Sequence, residues 1–175
     1  MRAYVAGALL VLVSMSPVVW AESSEDKNLV KQQEQYLYWM DQQTRNQVAE
    51  RGEKVTEALD RIVRDGADVW NLYNRASQTL RDRYDFDAFK QAMKERTKLG
   101  VSENRIFAGV DGGFKRLPNL PGDREYAIVK YDVTFQNHDL LYTEQVTLEK
   151  TEDTSSASAW RVVGYFVGKK PFYMY

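Results

Sequence analysis

EYAIVKYDVTFQNHDLLYTEQVTLEK, residues 125–150, reads as two strands joined by a turn. That reading decides the fold class. In its first half Ala127, Val129, Tyr131, Val133 and Phe135 fall at every second position, which places them on one face of a pleated strand. QNHD, residues 136–139, carries the Asn and Asp chemistry of a hairpin turn. Beyond it Leu140, Tyr142, Val146 and Leu148 share a face by the same parity. Upstream, NRIFAGV (Asn104–Val110) predicts another strand, followed by a turn-rich loop, DGGFKRLPNLPGDR, over residues 111–124. Downstream, the polar loop TEDTSSASA (residues 151–159) delivers the chain into a fourth strand, WRVVGYFV (residues 160–167). Strict alternation there puts Trp160, Val162, Gly164 and Phe166 on one face, and Arg161, Val163, Tyr165 and Val167 on the other. Gly164 predicts a bulge or bend.

Ahead of the strands the period lengthens to that of helices. From Asn28 to Arg64 there is no proline and one glycine, Gly52, within Gln-, Glu-, Lys-, Arg- and Ala-rich material that favours helix. Val48, Val55, Leu59 and Ile62 form one apolar stripe, and Gly52 marks a place where the helix could break. Asp65-Gly66 predicts its end by glycine C-capping. Asp68 then caps a second helix carrying Trp70, Tyr73, Ala76, Leu80 and Tyr84. Asp85 starts a third, with Phe86, Phe89, Met93 and Leu99 inward and Gly100 closing it. Helices followed by an antiparallel meander predict an α+β domain: N-terminal helices packed on a curved, cone-like four-stranded antiparallel sheet.

The first 21 residues, MRAYVAGALLVLVSMSPVVWA, read as a signal peptide with cleavage after Ala21. Arg2, a short apolar run, Pro17, and Val19 and Ala21 before the cut are its marks. An uncleaved anchor in the inner membrane is the alternative, because residues 3–21 carry no charge. The chain has no cysteine, which excludes disulfides and suits a periplasmic destination. The expected organisation is a signal peptide over 1–21, a polar linker and long N-terminal helix over 22–64, a domain over 65–168, and an aromatic tail over 169–175. Without Arg2, the 24 basic and 25 acidic residues leave a slightly acidic mature chain. Such a balance lacks the basic face that nucleic acid requires and the basic amphipathic helix of a membrane surface.

Several short pieces, in order, carry a family resemblance. They are Asp65-Gly66 with Trp70; Arg96, Leu99, Gly100 and Arg105; Leu120-Pro121-Gly122 with Glu125-Tyr126; Phe135; Glu144 with Val146; and Trp160-Arg161-Val162 with Gly164-Tyr165. From about Asp65 to Gly168 the chain resembles the bacterial family called domain of unknown function 4019, similar in layout to cystatin-like or nuclear-transport-factor-2-like folds. The resemblance implies a fold and an export habit, and no reaction. The long N-terminal helix, TEDTSSASA and the tail KKPFYMY depart from it.

Chemistry-bearing motifs are sparse. One histidine and no cysteine argue against a metal site, and no cofactor is expected. His138 sits in the turn, where a solvated imidazole is ordinary, and no Gly-x-Ser-x-Gly elbow accompanies it. DGGFK lacks the Gly-Lys-Ser/Thr ending of a phosphate loop. Lys130 and Asp132 fall on the face opposite the apolar stripe and read as solvated. The exception is Glu144, a carboxylate sharing the face of Leu140, Tyr142, Val146 and Leu148. Buried alone it would be costly. Either Arg105 or Arg161 on a neighbouring strand neutralises it, or it meets a ligand or serves as a general base. Tyr131 and Tyr142, with Tyr73, Tyr126 and Tyr165, would line a ligand pocket or simply fill the core.

YLYWM (Tyr36–Met40) is apolar on every face; Tyr36, Tyr38 and Trp39 would pack on their own domain or form a patch that recruits a partner or a second copy. The composite expectation is an exported, non-catalytic binding or interaction module for an envelope protein or small ligand. The alternative is an enzyme using Glu144 as acid or base in a tyrosine-lined pocket.

Overall fold

The computed structural model describes residues 40–152 and 159–170. The expected signal peptide, Tyr36, Tyr38, Trp39, the middle of TEDTSSASA and the end of the tail lie outside the described residues. Among the described residues, four helices precede four strands: α1 Gln42–Asp65, α2 Val69–Asn74, α3 Gln78–Arg83, α4 Phe86–Thr97, then β1 Ser102–Phe114, β2 Tyr126–Phe135, β3 His138–Lys150 and β4 Trp160–Lys169. The strands form one open antiparallel sheet in the order β1-β2-β3-β4. This is the α+β class expected from the change of period.

Each helix starts where a short oxygen side chain can satisfy an orphan N–H. Asp41 accepts from the Thr44 amide, Asp68 from Trp70, Ser77 from Leu80 and Asp85 from Ala88. Gly66 ends α1 in the left-handed region (φ 63°), its N–H donating to the Ile62 carbonyl. Helix material was expected from Asn28 onward, but Met40 and Asp41 are non-helical and the described helix begins at Gln42. Gly52 does not break α1. A Cβ there would stand 2.8 Å from Cγ2 of Val129, so the glycine is where helix and sheet touch.

Expectations between Asp68 and His138 need correction. The single helix expected from Asp68 to Tyr84 is two, because the Ser77 amide donates to the Val162 carbonyl of β4 (2.8 Å) and its hydroxyl caps α3. Trp70 is consequently half exposed, and packs edge-on against Phe86 with centroids 4.7 Å apart. DGGF lies within β1 rather than in the following loop; shifts of register around Gly109 and Gly113 (φ 142° and 84°) let the strand continue. The hairpin turn is only Gln136-Asn137, so His138 opens β3 opposite Phe135.

β4 breaks strict alternation. Leu148 lies opposite Val162 but Thr147 lies opposite Gly164, so Val163 is the extra residue of a bulge. Past it the parity reverses. Trp160, Val162 and Tyr165 all join the main core between helices and sheet, while Val163 joins Leu117, Tyr126 and Ile128 in a second cluster. The main core comprises Val48, Val55 and Leu59 of α1, Phe89 and Met93 of α4, and Ala127, Val129, Tyr131, Val146 and Leu148 of the sheet. The expected face of β2 is buried throughout, from Ala127 to Phe135. Lys130 pairs with Asp111, and Asp132 with Lys170 (2.6 Å).

Candidate functional site

Glu144 interrupts the apolar parity of β3, and its side chain is fully buried. Isolated in that position, an ionised carboxylate would cost at least several kcal/mol, so partners must come from the surrounding elements. They come from three, and a fourth completes the cluster. Arg105 of β1 donates from Nε to Glu144 Oε2 at 2.6 Å and from Nη2 to Oε1 at 3.4 Å. The Tyr165 hydroxyl of β4 donates to Oε1 at 2.6 Å. Arg96 of α4 places Nη2 3.9 Å from Oε1. Asp60 of α1 closes the ring. Its Oδ1 accepts from Arg96 Nη2 (3.1 Å) and its Oδ2 from Arg105 Nη1 (2.8 Å) and Ser102 Oγ (2.6 Å).

Two guanidinium groups thus face two carboxylates, and the charge cancels. Arg96, 1% exposed, spends its remaining donors on Tyr165 Oη and the Gly100 carbonyl, both at 2.8 Å. Its guanidinium lies 4.4 Å from the centroid of Phe135. Burial pushes the Asp60 carboxyl up, but hydrogen bonds from Arg105 and Ser102 outweigh it and hold it below the ordinary 3.8. Burial first, and then Glu144, push the Tyr165 hydroxyl well above 10. Tyr131 moves the same way for the same two causes.

Chemically, the arrangement is closed. All four carboxylate oxygens accept from protein donors, and the Tyr165 hydroxyl both donates and accepts. The space beside Tyr165, lined by Val55, Leu59, Leu80 and Phe89, amounts to about 20 Å³. That holds about one water and no organic ligand.

Of the sequence-derived candidates, the structure brings together Glu144, Arg105 and Tyr131. The Tyr131 ring centroid lies 6.0 Å from the Arg105 guanidinium, and its hydroxyl has no hydrogen-bond partner among the described residues. Arg161 is not in the cluster: it stands opposite Glu149, so of the two cations proposed for Glu144 the structure uses Arg105. Tyr142 packs edge-on against Phe135 and His138 in a separate cluster. Asp60 and Arg96 were not among the candidates, and Tyr165, expected as a core or pocket tyrosine, was not linked to Glu144. Arg96 was legible in principle, lying seven residues after Phe89 and three after Met93, on the inward stripe of α4. The bulge hid Tyr165.

A second feature lies between α1 and α2. A groove of about 280 Å³ has Val55, Ala58, Ile62 and Leu72 as its apolar lining, with Arg51, Lys54, Arg61 and Arg75 around it. Among the described residues, no three or more His, Cys, Asp or Glu side chains are grouped to hold a metal ion, and no helix is long and apolar enough to cross a membrane.

Comparison with known proteins gives one match. The family model described as "Protein of unknown function (DUF4019)" matches residues 55–165, more than half of the chain and from within α1 to the Tyr165 of the buried cluster. No curated protein matches. No solved structure matches.

Proposed function

The chain belongs to this family of unknown function, and from that premise we propose that it is an exported, non-catalytic binding module of the cell envelope. One observation carries the reading. Glu144, the carboxylate whose position invites acid–base chemistry, has both oxygens committed to Arg105 and Tyr165 in a closed, charge-balanced cluster. A general base needs room for a substrate beside it, whereas this one is fully buried, ion-paired to Arg105, and next to Tyr165, whose adjoining space is about 20 Å³. An open concavity lies elsewhere, against α1 and α2. Export rests on the charged, apolar and small-residue pattern of residues 1–21. A bacterial periplasm and a cystatin-like or nuclear-transport-factor-2-like layout belong to the same reading, supported by the absence of cysteine and by helices followed by a four-stranded antiparallel meander. Tyr36, Tyr38 and Trp39 are the residues we assign to partner or self-contact.

Native mass spectrometry on the tagged chain, released gently from the envelope fraction, tests this. The expected mass starts at Glu22 and carries a bound ligand or partner. A chain retained whole in the membrane fraction would remove the export claim, and a bare chain in every preparation would remove the binding claim. Replacing Tyr36 and Trp39 with serine should abolish any dimer mass; an unchanged dimer would clear those residues of the role.

A further inference from the structure

Arg51 lies in the middle of α1 and is only half accessible, so its side chain must be directed by what surrounds it. Its ε N–H is buried without a hydrogen-bond partner among the described residues. A buried donor left unmade is disfavoured, and a charged one more so. The neighbours aggravate the problem. Burial is the main cause that pushes the Arg51 guanidinium down, and Arg161 of β4 and Arg75 at the end of α2 add like-charge repulsion. Cations from three elements therefore come near enough for Arg51 to be repelled by the other two.

The groove explains the convergence. Arg51 and Arg75 both line it, as do Lys54 and Arg61, and Asp68 is the one carboxylate in its wall among the described residues. Lys54 and Arg61 are engaged by Glu50 and Glu57 one helical turn away, both at exposed positions. Asp68 is held at the start of α2, accepting from the Trp70 amide at 2.9 Å. The unmet demand for negative charge is thus centred on Arg51 and Arg75. Beneath them the wall is hydrocarbon: Val55, Ala58, Ile62 and Leu72.

We propose that the groove between α1 and α2 binds a small organic anion, its carboxylate or equivalent head on Arg51 and Arg75 and its apolar body on Val55, Ile62 and Leu72. A planar guanidinium takes a carboxylate through paired N–H donors, and the negative head would offset the repulsion between Arg51 and Arg75. The volume of about 280 Å³ sits just below the ~300 Å³ lower bound of ordinary small-ligand sites, so the ligand is compact. This assignment deepens the binding-module reading and rests on it.

Octanoate is the probe, octanol its neutral counterpart and inorganic phosphate the head without the body. Isothermal titration on the mature chain should show octanoate binding at least tenfold more tightly than octanol or phosphate, and weakening as salt rises. Arg51→Met, which keeps the stem and removes the charge, should lose at least tenfold in octanoate affinity. Arg75→Gln, at an exposed position, should lose severalfold while melting like the parent, so a folding defect in the first variant leaves the second to decide. Equal affinity for octanoate and octanol would overturn the anion assignment while leaving a ligand groove. No binding of any probe, or octanoate affinity unchanged in both variants, would overturn the site itself. A partner-bound mass persisting in that case would keep the binding-module reading.

Discussion

At the residue scale, Glu144 shows how a single misplaced charge organises its surroundings. Two arginines and a tyrosine hydroxyl reach it from α4, β1 and β4, and Asp60 of α1 shares the arginines. Removing one member of a buried pair leaves its partner charge stranded, which typically costs ~3–5 kcal/mol. Glu144→Gln is therefore expected to lower the melting temperature by on the order of 10 °C, given ~2–4 °C per kcal/mol for a domain of this size. Arg105→Met alone should do comparable harm, while the double variant should fall well short of the sum because the two charges are lost together. Calorimetry on the four proteins measures this coupling. Additive losses would mean that the pair does not act as a unit.

At the scale of elements, α1 and the sheet are held together by a missing side chain. Glycine within a helix costs about 1 kcal/mol relative to alanine, so on propensity alone Gly52→Ala should stabilise. The contact decides otherwise. The new methyl would lie 2.8–2.9 Å from three carbons of Val129, a short, stiff side chain at the centre of the sheet. α1 would have to lift, and overpacking of this kind costs ~1–3 kcal/mol. We expect a net loss of stability in chemical denaturation, with Val129→Ala restoring part of it in the double variant. A gain on Gly52→Ala alone would contradict the close approach. The same scale accounts for the break between α2 and α3: the Ser77 amide finds the Val162 carbonyl, and the helix stops for that bond.

For the whole molecule, the buried cluster sets a pH window. The Asp60 carboxyl is held below 3.8 in the folded chain, so its contribution is present above that value and is lost as pH falls through the lower, folded one. Tyr165 and Tyr131 are pushed above 10. Their contribution is complete below pH 10 and is lost as pH rises beyond it, because the unfolded chain releases those protons first. Urea midpoints should thus decline below about pH 3.8 and above about pH 10. Tyr165→Phe should flatten the alkaline decline, whatever it does to stability at neutral pH. A midpoint as steep with pH in that variant as in the parent would exclude Tyr165 as a source.

What the sequence determined by itself was local and periodic. Alternation over residues 125–150 specified a hairpin, short oxygen side chains announced the caps at Asp68 and Asp85, Gly66 ended α1, and the odd carboxylate at Glu144 stood out against its face. These signals are legible because each depends on neighbours within a few positions. The tertiary structure decided the rest. It chose Arg105 over Arg161 as the partner of Glu144, since strand order places β1 two strands away but within an arginine's reach, whereas Arg161 lies far along β4 at Glu149. It turned Tyr165 inward by one extra residue at Val163, because a bulge reverses every later side chain on its strand. It brought Arg51 and Arg75 to one groove and set Arg161 near enough to Arg51 to repel it, though 24 and 86 residues separate the three along the chain. Periodicity tells which way a side chain faces; only the packed chain tells what it faces.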